Sequence, residues 1–244
     1  MSYTQIEICA NSFQSAQNAQ LAGANRIELC TELSVGGLTP SHGLIEKVVS
    51  ELTIPTHVLI RPRSGNFTYS EEEFNVMLRD IAFCKKLDCA GIVSGFLTSE
   101  NKIDFEKTKL LIAASEEMDF TFHRAFDWVE NPLEELQNLI DLKVNRLLSS
   151  GQKPRAIEGI LLLKKLQNLS KGKLEIMPGG GINLENALKF KEAGFKSIHF
   201  SATTKKQTLQ QKPKVSMHSK TFFEEGIVST SNIETIQKIK ELLT

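Results

Sequence analysis

Three pairs of residues spaced two apart carry much of the chemistry in this sequence: Glu7 with Cys9, Glu28 with Cys30, and Arg61 with Arg63. Each closes a short apolar run, as do His123 in Thr121-Phe122-His123-Arg124-Ala125-Phe126-Asp127 and His199 with Ser201. A spacing of two puts both members of a pair on one face of an extended strand. Carboxylates beside imidazoles are the material of general acid–base catalysis, and guanidinium groups clamp a carboxylate or phosphate. Two thiols on neighbouring strands are close enough to share one soft cation, and Cu(I) is the cation that thiolates favour. The catalytic candidates are therefore Glu7, Glu28, Arg61, His123 and His199, with Arg61 as an anion clamp, and the candidate metal ligands are Cys9 and Cys30. A buried cysteine is also an ordinary small hydrophobe, so spacing alone leaves the thiol pair open between packing and metal.

Two glycine-bearing runs add an anion site. One apolar run leads into Ser149-Ser150-Gly151-Gln152-Lys153, and another into Met177-Pro178-Gly179-Gly180-Gly181-Ile182-Asn183. Glycines between a strand and a helix let backbone N–H groups close on an anion at the helix N-terminus. The anion-binding candidates are Arg63, Ser149, Gly151, Gly179, Gly180, Gly181 and Ser201; a tight turn with no ligand is the plain alternative.

The elements that must position these residues follow from hydrophobic periodicity. Short β-rich runs are predicted at 6–9, 26–30, 56–60, 91–94, 120–123, 146–149, 174–177 and 197–201. Amphipathic helices are predicted at 12–21, 41–52, 70–87, 104–117, 132–142, 155–169, 184–193 and 233–243. Ser12, Ser41, Ser70 and Asn183 stand where N-caps belong, and Ser70 with Glu73 fits a capping box. Eight strand–helix units in 244 residues match a single-domain (β/α)8 TIM barrel over residues 1–244 better than an open sheet, since no GxGxxG follows the first strand. In such a barrel Ile6, Ile8, Ile27, Leu29, Val58, Ile60, Phe120, Phe122, Ile198 and Phe200 face the helices, which turns the catalytic set inward. A barrel core usually holds layers of Val, Ile and Leu, and barrel chemistry sits at the C-terminal strand ends. The convergence of five polar residues there points to a site. The lysine-rich stretch 203–219 has no periodicity and reads as an irregular loop after strand eight. Cys84, within a helix, and Cys89, before strand four, are assigned to packing or to the surface.

Basic and acidic residues balance at 29 each, so no global field favours nucleic acid or anionic lipid. The start, MSYTQIEICA, has neither a basic n-region nor an apolar h-region, and no run of about 18 apolar residues occurs. The four cysteines form no CxxC or compact zinc spacing. A cytoplasmic protein with reduced thiols is expected, without a membrane or nucleic-acid partner, and the ring of outer helices makes a homo-oligomer an expectation.

The runs EICANS, RIELC, VGGLTPS (35–41), IRPRSGNFTYS (60–70), TFHRAFD, LLSSGQK (147–153) and MPGGGI (177–182) together resemble the CutC family, in order from strand one to strand eight. The resemblance implies a TIM barrel, a cytoplasmic location and copper homeostasis through Cu(I) binding, with Cys9 and Cys30 as the ligands. The chain departs from the family pattern at Ser64-Gly65-Asn66-Phe67, where Gly-Gly-Asp-Phe is usual, so an amide replaces a carboxylate. Phe200 stands where a small residue is usual, although alternation turns it toward the helices.

Two functions of different class remain open. One is a Cu(I)-handling protein working through Cys9 and Cys30. The other is an enzyme of lyase or isomerase type, acting on a small phosphorylated or carboxylated metabolite at the barrel mouth. Ser149, rather than an inward lysine, on strand six argues against a Schiff-base aldolase.

Overall fold

Short β-rich runs, alternating apolar and polar in the first, second, third, fifth and eighth, build eight strands that pair in chain order. The computed structural model describes residues 4–211, 214–215 and 226–244. Its strands are β1 (Gln5–Ala10), β2 (Arg26–Leu29), β3 (Thr56–Leu59), β4 (Gly91–Ser94), β5 (Asp119–Phe122), β6 (Arg146–Ser149), β7 (Glu175–Pro178) and β8 (Ser197–Phe200). They are parallel neighbours in the order β7-β6-β5-β4-β3-β2-β1-β8, and a parallel bridge between Gly179 and His199 joins β7 to β8. The helices are α1 (Phe13–Leu21), α2 (His42–Glu51), α3 (Glu71–Lys86), α4 (Phe105–Ala114), α5 (Pro132–Asp141), α6 (Ile160–Ser170), α7 (Ala187–Glu192) and α8 (Ile233–Leu243). The architecture is a (β/α)8 TIM barrel.

The core divides as the alternation requires. A large cluster between strands and helices contains Ile6, Ile8, Ile27, Leu29, Val58, Ile60, Phe120, Phe122, Ile198 and Phe200. A separate small one, Cys9, Cys30, Leu59 and Val93, lies apart from it. Ser12, Ser41 and Ser70 each accept a backbone N–H of the following helix, and Ser70 with Glu73 completes a capping box. These caps satisfy N–H groups that a helix start leaves unpaired.

Some boundaries differ from the sequence expectation, each for a local reason. β5 ends at Phe122 because His123 leaves the strand and accepts the Ala125 N–H on Nδ1 at 3.2 Å, opening a 3-10 turn over Arg124–Trp128. α6 starts at Ile160 rather than at 155 because the backbones of Gly151 and Gly159 press together; a Cβ on Gly159 would lie 2.0 Å from the Ser150 carbonyl oxygen. α7 starts at Ala187 after a turn in which the Asn186 side chain spans the Asn183 N–H at 2.9 Å and the Gly181 carbonyl at 3.0 Å.

The stretch 203–219 is not wholly irregular. Thr203–Gln207 forms β9, antiparallel to β10 (Ile227–Ser231) and outside the barrel sheet. Residues 212–213 and 216–219 of that stretch lie outside the described residues. No apolar period marks this hairpin because backbone pairing and side-chain anchors set it. Asn11 donates to the Ser229 carbonyl at 3.2 Å, Asn18 to the Ser231 carbonyl at 2.8 Å, and the Ser231 N–H reaches Ser15 Oγ at 3.1 Å. Among the described residues no helix is long and apolar enough to cross a membrane.

Candidate functional site

Strand register brings the inward charges of β1, β2 and β8 side by side. Glu7 stands opposite Arg26 on β2 and opposite His199 on β8. Its carboxylate is fully buried, accepts Arg26 Nε on Oε2, and meets His199 Nδ1 at 2.8 Å on Oε1. Burial alone would raise the Glu7 pKa, but Arg26 and then the His199 hydrogen bond hold it well below the carboxylate range. Burial would likewise lower His199; the charge of Glu28, with the hydrogen bond to Glu7, holds the imidazole well above its ordinary value. The chain Arg26, Glu7, His199 is thus a fixed run of plus, minus and plus inside the barrel.

Glu28 borders this run. One oxygen accepts the Cys9 thiol at 3.5 Å, and Oε2 is buried with no hydrogen-bond partner among the described residues. Burial pushes its pKa up, and the nearby Glu7 charge works in the same direction. Donor atoms of Glu7, Glu28 and His199 lie within 4.8 Å of one another, and those of Cys9, Glu28 and Cys30 do so too. The two sulfurs are 3.6 Å apart. The Cys9 thiol is pushed well above the thiol range by its hydrogen bond to Cys30 and then by burial. The donor set fits a soft cation, at the cost of displacing the thiol protons.

A cavity of about 810 Å³ opens at this end of the barrel, and its wall includes Cys9, Glu28, Arg61, His123 and His199. His123 is held near pKa 3 by burial and by the Arg61 charge, so its ring is neutral; with Nδ1 accepting, the proton sits on Nε2, which has no hydrogen-bond partner among the described residues. Arg61 is committed to the loops. Its Nη1 donates to the Val35 carbonyl at 2.7 Å and the Gly37 carbonyl at 2.9 Å, Nη2 to the Gly65 carbonyl at 3.0 Å, and the guanidinium lies over the Phe67 ring. Arg63 is turned elsewhere: it pairs with Glu73 at 2.5 Å and donates to the carbonyls of Ser64, Asn66 and Thr68, away from the cavity wall.

The glycine loops divide in the same way. Gly180, Gly181 and Ser201 line the cavity, whereas Gly179 pairs with His199 behind it. Ser149 is buried and donates to Asp127 at 2.6 Å, and its Oγ accepts the Gly151 N–H at 2.9 Å, so neither residue lines the cavity wall. Asp127 is the hub: it also receives the Ser150 N–H at 3.0 Å, the Ser150 hydroxyl at 2.9 Å, the Gln152 N–H at 3.2 Å and Arg124 Nε at 2.8 Å. Arg124 and Asp127 escaped the sequence-derived set although both lie in the 121–127 run. Their spacing of three was the available signal, since it matches one helical turn. Cys84 and Cys89 are both buried, away from this cavity wall.

A sequence model of the CutC family matches residues 4–204. A family protein CutC of Pasteurella multocida (strain Pm70) is 46% identical over 198 residues, 81% of each chain. One of Glaesserella parasuis serovar 5 (strain SH0165) is 40% identical over 243 residues, 98% of this chain and 97% of its own. A crystal structure from Streptococcus agalactiae, of a protein named as a proposed copper homeostasis protein CutC, is 34% identical with a TM-score of 0.77, covering 81% of this chain and 98% of that one. The protein belongs to the CutC family.

Proposed function

We propose that the barrel mouth binds a small anionic metabolite, phosphorylated or carboxylated, and transfers a proton on it. The observation that carries this reading is Glu28 Oε2, a buried carboxylate oxygen with no partner among the described residues, on the wall of an 810 Å³ cavity. An unmet buried acceptor is costly and is expected to find its partner in a ligand. A carboxyl group whose pKa is raised toward neutrality is also a better-matched general base. In its ionised form Glu28 takes a proton from carbon next to a carbonyl. The C–H electron pair moves into the carbonyl, whose oxygen gains charge, and protonated His199 stabilises that charge. Where the reacting carbon carries a hydroxyl, His199 gives its proton to the former carbonyl oxygen and takes the proton of that hydroxyl, which becomes the new carbonyl. Glu28 returns its proton to the former carbonyl carbon, and this completes an isomerisation. Glu7 favours the protonated form of His199, and Arg26 keeps Glu7 ionised.

The test is hydrogen–deuterium washout, followed by NMR, on a library of 2-oxo acids and sugar phosphates in D2O. Exchange that disappears in Glu28→Gln supports the reading. Exchange that survives the substitution, or a library in which no compound exchanges or raises the melting temperature, refutes it.

A second reading, cytoplasmic Cu(I) handling, is favoured by the thiol pair and by the copper role in the Streptococcus protein's name. With metal–sulfur bonds of about 2.3 Å, sulfurs 3.6 Å apart subtend about 100° at one ion. That bent arrangement leaves room for a third donor, and a Glu28 carboxylate oxygen lies within 4.8 Å of both sulfurs. The reducing cytoplasm keeps both thiols available. A competitive Cu(I) titration against a chromophoric chelator, anaerobic and reducing, compares the native chain with a Cys9→Ser, Cys30→Ser variant. Tight binding lost in the variant supports this reading, and binding that persists without the thiols sinks it.

A further inference from the structure

The β9–β10 hairpin has one face in the cavity. Thr203 and Lys205 of β9 and Ile227 and Ser229 of β10 all line it. The antiparallel register pairs Lys205 with Ser229 and Gln207 with Ile227. Directly paired residues share a face and alternate residues along a strand share a face, so these four belong to one side of the ribbon. Lys206 and its partner Val228 belong to the other side. The bonds from Asn11 and Asn18 to β10 and from the Ser231 N–H to Ser15 hold the ribbon over the mouth. Among the described residues the Lys205 side chain forms no ion pair.

A second cation shares that cavity wall. Arg124 is fixed by Asp127 at Nε and by Ser150 at Nη2, each at 2.8 Å, which leaves Nη1 without a hydrogen bond among the described residues. Nη1 stands against the bare backbone of Gly180, where a Cβ would come within 3.3 Å of it. A pre-oriented guanidinium edge beside glycine backbone is suited to a planar or tetrahedral oxyanion, and a lysine adds a mobile point charge.

We propose that Arg124 and Lys205 together receive the anionic end of the ligand, and that Lys205 sets how much negative charge the site accepts. Arg124 with the Gly180–Gly181 backbone suffices for a monoanionic carboxylate; Lys205 supplies the second charge that a phosphate dianion needs. The inference rests on the anionic-ligand reading of the mouth.

Calorimetric titrations with inorganic phosphate and with acetate, at low and at physiological salt, compare the native chain with Lys205→Gln, Lys206→Gln and Arg124→Gln. Lys206→Gln removes the same charge from the opposite face, so it controls for net charge, and melting temperatures confirm that each variant is folded. Lys205→Gln is expected to weaken phosphate about fivefold at physiological salt and more at low salt, with acetate nearly unaffected. Arg124→Gln is expected to weaken both probes. Phosphate affinity that is equal in Lys205→Gln and Lys206→Gln, with Arg124→Gln still weakened, overturns the role of Lys205 and leaves the anion site standing. A native chain that binds neither probe overturns the anion site itself.

Discussion

Replacing Glu7 by glutamine removes one negative charge from the centre of the barrel while keeping the side-chain shape. Glu7 is fully buried between Arg26 on one oxygen and His199, 2.8 Å away, on the other. An amide has one accepting end and one donating end, so either Arg26 or His199 loses its acceptor. Breaking a buried ion pair from one side costs about 3–5 kcal/mol. In a chain of this size each kcal/mol moves the melting temperature by about 2–4 °C, so a fall of roughly 6–20 °C is expected. His199 should change most specifically. Its folded pKa is raised, so the pair contributes fully below the unfolded value of about 6.5 and is lost as pH rises through the folded pKa. In Glu7→Gln the imidazole loses one of the contacts that raise its pKa while Glu28 still favours the charged form, so the pKa falls and the deficit against the native chain is largest on the acid side of that transition. Chemical denaturation across pH, with NMR titration of the His199 ring, measures both effects. A melting temperature within about 2 °C of native, or an unaltered His199 titration, refutes this account of the site.

Acid should weaken the native fold through two other imidazoles. Burial lowers His57 to about 4 and His123 to about 3, so their contribution is complete above about pH 6.5 and is lost as pH falls toward those values. At pH 4 each costs on the order of 3 kcal/mol, and a urea midpoint unchanged between pH 7 and pH 4 would contradict it. Gly151→Ala should be severely destabilising, because φ is +69° and the new Cβ would lie 2.3 Å from the Gly159 carbonyl oxygen. A loss of more than about 2 kcal/mol is expected, and a native-like melting curve would show that the 151–159 loop yields instead.

The barrel strands were legible because alternation is a local property: Ile6 and Ile8, Ile27 and Leu29, and Val58 and Ile60 declare one face, and their neighbours the other. The same rule loses its force where a strand stops. β3 ends at Leu59, so Arg61 and Arg63 no longer share a face by spacing; the first reaches the cavity wall and the second turns to Glu73. Arg124 depends on the 3-10 turn after His123, and Lys205 on hairpin register, neither of which leaves a periodic trace. Alternation placed Glu7 and His199 inside, but their pairing follows from register between β1 and β8. The start of α6 was hidden because the approach of Gly151 to Gly159 is a contact between backbones that no side chain announces.

The closure of the ring by its first and last strands has a consequence for synthesis. Glu7 and His199 are 192 positions apart, so at about 5–20 residues per second the glutamate precedes its histidine by roughly 10–40 s. During that interval β1 offers an unpaired parallel edge, and the inward carboxylate is answered by Arg26 alone. A nascent chain in this state is an open template for other strands. Its safe arrival depends on whatever shields that edge until the eighth strand leaves the ribosome.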